Sequence, residues 1–115
     1  MGRVDADTLY GTLKVLILKA LSEGALHGLA ISRRLHDASD ESLHIEEGAL
    51  YPALHRLERD GLLVSEWGVS ANNRRAKFYA LTARGRRALR QEVASWTRHA
   101  EAVSKVLGVT VHAPR

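Results

Sequence analysis

The stretch LHRLERDGLLVSEWGVSANNRRAKFYALT, Leu54 to Thr82, changes its periodicity partway along. Up to Gly61 the apolar residues recur at helical spacing; from Leu62 onward the period drops to that of a strand. Gly61 ends the helix. LLVSEWGV and RAKFYALT read as paired strands, and Ser70-Ala71-Asn72-Asn73 is the turn between them, because Asn tolerates left-handed backbone and hydrogen-bonds its own backbone. In the second strand Ala76, Phe78 and Ala80 point one way, while Lys77, Tyr79 and Leu81 point the other. Two Asn, two Arg and a Lys therefore gather at and just beyond the tip of a hairpin.

Three helices precede that hairpin. IEEGALYPALHRLERDG, Ile45 to Gly61, places Leu50, Leu54 and Leu57 on one face and Gly48, Pro52, His55, Arg56 and Arg59 on the other. Pro52 fits only in a first turn, where its missing N–H has no intrahelical partner, so the helix is expected to begin near Gly48 or slightly before. ALHGLAISRRLHDA, Ala25 to Ala38, is a shorter amphipathic helix. Its Leu29, Ile31 or Ser32, and Leu35 turn inward and Arg33 and Arg34 outward, and polar SDES follows as a loop. TLYGTLKVLILKALSEG carries an apolar stripe at Leu9, Leu13, Leu16, Ile17, Ala20 and Leu21, with Val15 and Leu18 outside it. A helix apolar on nearly every side must be buried on nearly every side, which calls for its own core and a neighbouring chain.

After the hairpin, Thr82 is a good N-cap for a last helix that Gly108 closes. Its apolar residues, Leu89, Val93, Trp96, Ala100, Val103 and Leu107, are spaced as the seam of a helix that pairs with another helix. The tail VTVHAPR is expected to fray. The fold class is thus mainly α with a β-hairpin: a winged helix-turn-helix over residues 1–81, a dimerisation helix over 82–108 and a tail over 109–115.

Composition agrees with this outline. At 115 residues the chain is one domain, small enough that a partner subunit would help it. The absence of Cys removes thiolate zinc sites, disulfides and Cys nucleophiles. No apolar run approaches the ~20 residues that would span a bilayer, and the start has acids where a signal peptide would be apolar. A cytoplasmic protein with no membrane partner is expected. The net charge is +4, but from His55 to Arg90 nine Lys/Arg face three acidic residues. Such local excess suits a polyanion.

In a helix-turn-helix the second helix enters the major groove, which here is the segment from Glu46 to Arg59. Tyr51, His55 and Arg56 stand on or near its outward face; Arg56 and Arg59 suit phosphates, and Tyr51 either reads DNA or packs at the edge of the core. Glu46 and Glu47 stabilise the helix N-terminus, although they would repel a phosphate there. A hairpin beside such a helix lies along the duplex backbone. Asn72, Asn73, Arg74, Arg75 and Lys77 can then meet phosphates or enter the minor groove, where Arg is favoured. Edge cations that only discourage strand aggregation are the plainer reading.

GTLKVLILKAL, HGLAISRRL, GALYPALHRLERDGLL, the EWG ending the first strand, NNRRAKFYALTARGRRAL and the SWTR of the last helix together resemble the PadR family of bacterial transcription regulators, in its short subfamily with a single C-terminal helix. The resemblance covers roughly Leu9 to Leu107. It implies a homodimer, built on the first and last helices, that represses from a palindromic operator on double-stranded DNA and leaves it when a small molecule binds. It also implies DNA contacts from Tyr51, its neighbours Ala49 and Pro52, and the wing. Ala49 stands where many relatives have Ser or Thr, so a hydroxyl contact to phosphate is lost. Trp96 has the setting of a Trp that stacks on planar aromatic ligands between subunits, while filling of the dimer core is its commoner use. A ligand pore would be lined by Lys14, Val15, Leu18 and Lys19 with Val93, Trp96 and Ala100. Its lysines would suit a phenolic acid, or would reach solvent or pair with Glu101.

Other classes fare less well. There is neither a Gly-rich phosphate loop nor an acid–base constellation, so no enzyme and no cofactor are expected. A metal-responsive sensor is the alternative, yet no pair of the six His has a spacing that sets both on one helical face; His36 and His44 are eight apart across a loop. A ligand-independent regulator and a protein-interaction module without a DNA role complete the alternatives.

Overall fold

The structure is a computed structural model that describes residues 6–110, with side chains from Tyr10 onward. The order is α1 (Ala6–Ala20), β1 (Leu26–His27), α2 (Gly28–Ala38), α3 (Glu47–Arg59), β2 (Leu63–Val69), β3 (Arg75–Leu81) and α4 (Ala83–Leu107). This is the expected winged helix-turn-helix with a long last helix, and one element more. The side chain of Leu9, counted in the first stripe, and the tail from Val111 lie outside the described residues.

One core joins α1, α2, α3 and the sheet. Leu13, Ile17 and Leu21 of α1 and the residue that follows it, Ile31 and Leu35 of α2, Leu50, Leu54 and Leu57 of α3, and Tyr79 and Leu81 of β3 are all buried in it. Each such Leu contributes about 2 kcal/mol by leaving water. Leu18, placed outside the stripe by periodicity, is also in this core at 0 % exposure. The helix is wrapped on a wider arc than its stripe implied, since α2, α3 and α4 all pack on it.

The helix expected from Ala25 starts at Gly28 instead. Leu26 and His27 pair antiparallel with Tyr79 and Phe78, so the sheet has three strands in the order β1-β3-β2. His27 then caps α2, its Nδ1 accepting from the Ala30 N–H at 3.3 Å. Leu29, expected inward, is 46 % exposed on the first turn.

Helix α3 begins at Glu47, so Pro52 falls in the second turn and not the first. The cost is one backbone hydrogen bond, to the carbonyl four residues before it. That position is Gly48, whose exposure lets water take the carbonyl. The hairpin has the expected strands and turn: Leu63 pairs with Leu81 and Val69 with Arg75, and Asn73 takes the left-handed conformation at φ 59°.

Both ends of α4 are as the caps foretold. Thr82 Oγ1 accepts from the Gly85 N–H at 2.9 Å, and Gly108 is left-handed at φ 70°. Twenty-five residues make a helix about 37 Å long. Its first turns pack on the body, where Lys14 of α1 pairs with Glu92 at 3.0 Å. Further along, Val93, Trp96, Val103 and Leu107 of the seam stand exposed.

Candidate nucleic-acid interface

The connection that aims α3 is built from short polar side chains. Asp40 and Glu41 both take positive φ, 53° and 68°, which turns the chain sharply after α2. Ser39 Oγ accepts from the Leu43 N–H at 2.9 Å, and Ser32 Oγ donates to the Ile45 carbonyl at 3.2 Å. The loop is thereby fastened to α2 at two points. With Leu50, Leu54 and Leu57 buried beneath, the opposite face of α3 is offered to solvent.

That face has two flanks. On one, Tyr51 and His55 look across a groove to the wing; Tyr51 is 37 % exposed. Its ring lies over Gly28 at the start of α2. On the other flank Arg56 is stacked over the ring of Tyr10, 3.9 Å from its centroid. Burial pushes the Tyr10 phenol above its ordinary pKa, with the Arg56 charge opposing. Arg56, expected at phosphates, is thus also held against α1, and it remains exposed. Ala49 is half-buried against the core, and Pro52 lies exposed on the crest between the flanks.

The wing is fastened to α3 through Glu58. Its carboxylate accepts from Ser65 Oγ of β2 at 2.5 Å and stands 3.9 Å from Lys77 Nζ of β3. At the tip, the Ser70 N–H donates to the Arg74 carbonyl at 2.8 Å and the Asn73 N–H to the Ser70 carbonyl at 2.9 Å, closing a tight turn. Arg75 extends along the hairpin and its guanidinium stacks on Trp67, 4.5 Å from the ring centroid.

Of the residues expected to meet DNA, Tyr51, His55, Asn72, Arg74, Arg75 and Lys77 line this one groove between α3 and the wing. Asn73 is at the tip just outside it. Arg33 of α2 adds a further cation and Glu47 an acid. Sequence reasoning missed Gly28, Glu58 and Trp67. The first leaves no periodic signal, and the second was counted only as charge. Alternation sets Trp67 on the face of Leu63, and only its place further out along the hairpin leaves it exposed.

The expected ligand lining does not assemble within one protomer. Leu18 faces its own core, so it is no part of a pore wall, and Val15 is half-buried. Lys14 is paired with Glu92 and not with Glu101, which lies further along α4. Trp96, 54 % exposed, lines a shallow groove with Ala100, Glu101 and Lys105, and its ring centroid is 6.0 Å from that of His99. His36 and His44 share a shallow pocket with Arg33, and among the described residues no three His, Cys, Asp or Glu gather as metal ligands. No helix among the described residues is long and apolar enough to cross a membrane.

Residues 17–91 match the model of the transcriptional regulator PadR-like family. That span runs from α1 through the whole groove into α4. The chain is 38 % identical over 80 residues to the transcriptional regulator Rv3488 of Mycobacterium tuberculosis, a match covering 70 % of this chain and 71 % of that one. A PadR family transcriptional regulator from Eggerthella lenta has a similar structure, with a TM-score of 0.72, 35 % identity and coverage of 90 % of this chain and 88 % of that one. A PadR-like transcription factor from Bacteroides fragilis superposes with a TM-score of 0.71 at 33 % identity, covering 87 % and 94 %.

Proposed function

Since this chain belongs to the PadR-like family of transcriptional regulators, we propose that it acts as a homodimer on a palindromic operator in double-stranded DNA. It is a regulator and not an enzyme. The observation that carries the DNA reading is the groove. Tyr51 and His55 of α3 and Arg74, Arg75 and Lys77 of the wing line a single concavity, with hydrogen-bonding rings on the α3 wall and cations on the wing, groups suited to bases and to phosphates. Helix α3 enters the major groove with Tyr51 leading, while the wing follows the adjacent backbone.

The dimer reading rests on α4. Val93, Trp96, Val103 and Leu107 are exposed at seam spacing, and a second copy of the same helix covers them across a two-fold axis. Two protomers so related carry their α3 helices into successive major grooves, and the operator inherits their symmetry. Repression of a neighbouring transporter or enzyme gene follows from occupying its promoter. A planar aromatic or phenolic ligand stacked on Trp96 at the two-fold axis releases it, by shifting the two wings relative to one another. Support for this last step is the exposed indole in the α4 groove.

Footprinting on the DNA upstream of the protein's own gene tests the reading. Two protected half-sites in inverted repeat, about one helical turn apart, are expected. An unsymmetrical footprint, or none, contradicts it. For the ligand, planar aromatics should quench Trp96 emission in a Trp67→Phe background. Quenching that survives Trp96→Ala removes the proposed ligand site.

A further inference from the structure

The wing holds its three cations in three different ways. Lys77 stands beside the Glu58 carboxylate, so part of its charge is answered inside the protein. Arg74 is exposed at the turn. Arg75 is stacked on an indole face. Among the described residues, Glu58 is the only carboxylate within 4.0 Å of a wing cation.

The stack follows from the register. Val69 pairs with Arg75 and Trp67 with Lys77, so Trp67 and Arg75 lie diagonally on one face of the hairpin, within reach of long side chains. That face looks into the groove, which both residues line. Trp67 is 58 % exposed and lies outside the core, so hydrophobic burial does not account for it.

Two kinds of neighbour can hold a guanidinium still. A carboxylate does so by neutralising it, which removes the charge a phosphate would seek. An aromatic face does so through its quadrupole and leaves both the positive charge and the N–H edge available. A long side chain otherwise loses up to about 2 kcal/mol of rotamer freedom when it is fixed on a partner.

We propose that Trp67 is a positioning residue for Arg75, holding its guanidinium in the groove as a preformed donor for a DNA phosphate. The proposal rests on the DNA reading above and adds to it a residue that carries no charge and makes no base contact. Trp67 acts through Arg75 and through nothing else.

A double-mutant cycle on duplex DNA tests this. The probe is a mixed-sequence duplex of about 30 base pairs at about 50 mM salt, because phosphate contacts do not depend on sequence. Wild type, Trp67→Leu, Trp67→Phe, Arg75→Ala and Trp67→Leu/Arg75→Ala are compared, each checked by thermal unfolding. Trp67→Leu weakens binding about fivefold, the size of one partly exposed cation–π contact. Trp67→Phe, which keeps an aromatic face, stays within about twofold of wild type. In the Arg75→Ala background Trp67→Leu has no further effect. If the two single effects multiply in the double variant, or if Trp67→Leu binds as wild type does, the positioning role is overturned while the DNA reading stands. If wild type binds no duplex, both fall.

Discussion

The ring of Tyr51 lies so close over the backbone of Gly28 that a Cβ built there would fall 2.6 Å from the phenolic oxygen. The first turn of one helix of the pair thus shapes what the other presents to the groove. Gly28→Ala should push the ring off its seat and lower DNA affinity about tenfold, the scale of one displaced contact at an interface. Thermal stability should hardly change, since Ala is the better residue within a helix and the Tyr51 ring is free to swing outward. Parallel DNA titration and melting curves check this; unaltered affinity would mean that Tyr51 does not read DNA from this seat.

Gly85 faces a harder constraint. A Cβ there would run into the backbone carbonyl of Leu62, which cannot swing away as a side chain does. The same carbonyl accepts from the Thr82 N–H at 3.1 Å, and Thr82 Oγ1 donates to the Gly61 carbonyl at 2.8 Å. The root of α4 is thereby bonded to the start of β2. Gly85→Ala should cost about 2–4 kcal/mol in chemical denaturation. A loss below about 0.5 kcal/mol, the range of ordinary surface changes, would show that this junction is loose.

How far the sequence carried depends on the range of the interaction involved. Thr82 and Gly108 bounded α4 correctly because caps are chemistry between residues a few positions apart. Asn73 marked its turn for the same reason. Leu26 and His27 gave no strand signal, because two residues have no period and their pairing with Phe78 and Tyr79 spans half the chain. Periodicity leaves Leu18 outside the stripe, because a helix apolar on most sides does not reveal which neighbours surround it. The helical angle of Arg56 turns it outward, but only the packing of α1 on α3 puts Tyr10 beneath it. The groove was legible as a pair of elements, but not Glu58, whose reach to both strands is a tertiary fact.

Stability should fall at high pH. Burial, with the Glu58 charge second, raises the Tyr79 phenol above its ordinary value of 10.0. The folded state then keeps a proton that the unfolded chain has begun to lose, so Tyr79 contributes fully below about pH 10 and its contribution is lost as pH rises through the raised folded value. Tyr10, shifted the same way, contributes in the same window. Denaturation curves from about pH 8 to 11 should show a decline that Tyr79→Phe makes shallower. An equal decline in that variant would place the effect elsewhere.

The seam of α4 can be broken without disturbing the body. Val103 is 41 % exposed and lies far beyond the Lys14–Glu92 contact that fastens the helix. Val103→Glu sets like charges against each other across a two-fold axis and should turn a dimer into a folded monomer by sedimentation equilibrium. A dimer that survives this change would have its interface elsewhere.

On the proposed reading, α3 and the wing grip DNA together, with the wing supplying affinity through phosphates. The most direct measurement is the salt dependence of duplex binding for wild type and for Arg74→Ala/Arg75→Ala. Each phosphate contact contributes about 0.9 to the slope of log affinity against log salt. The double variant should bind more weakly on every sequence, with a slope shallower by about 1.8. A variant that binds with the wild-type slope would contradict the account, because the wing would then not be touching the backbone.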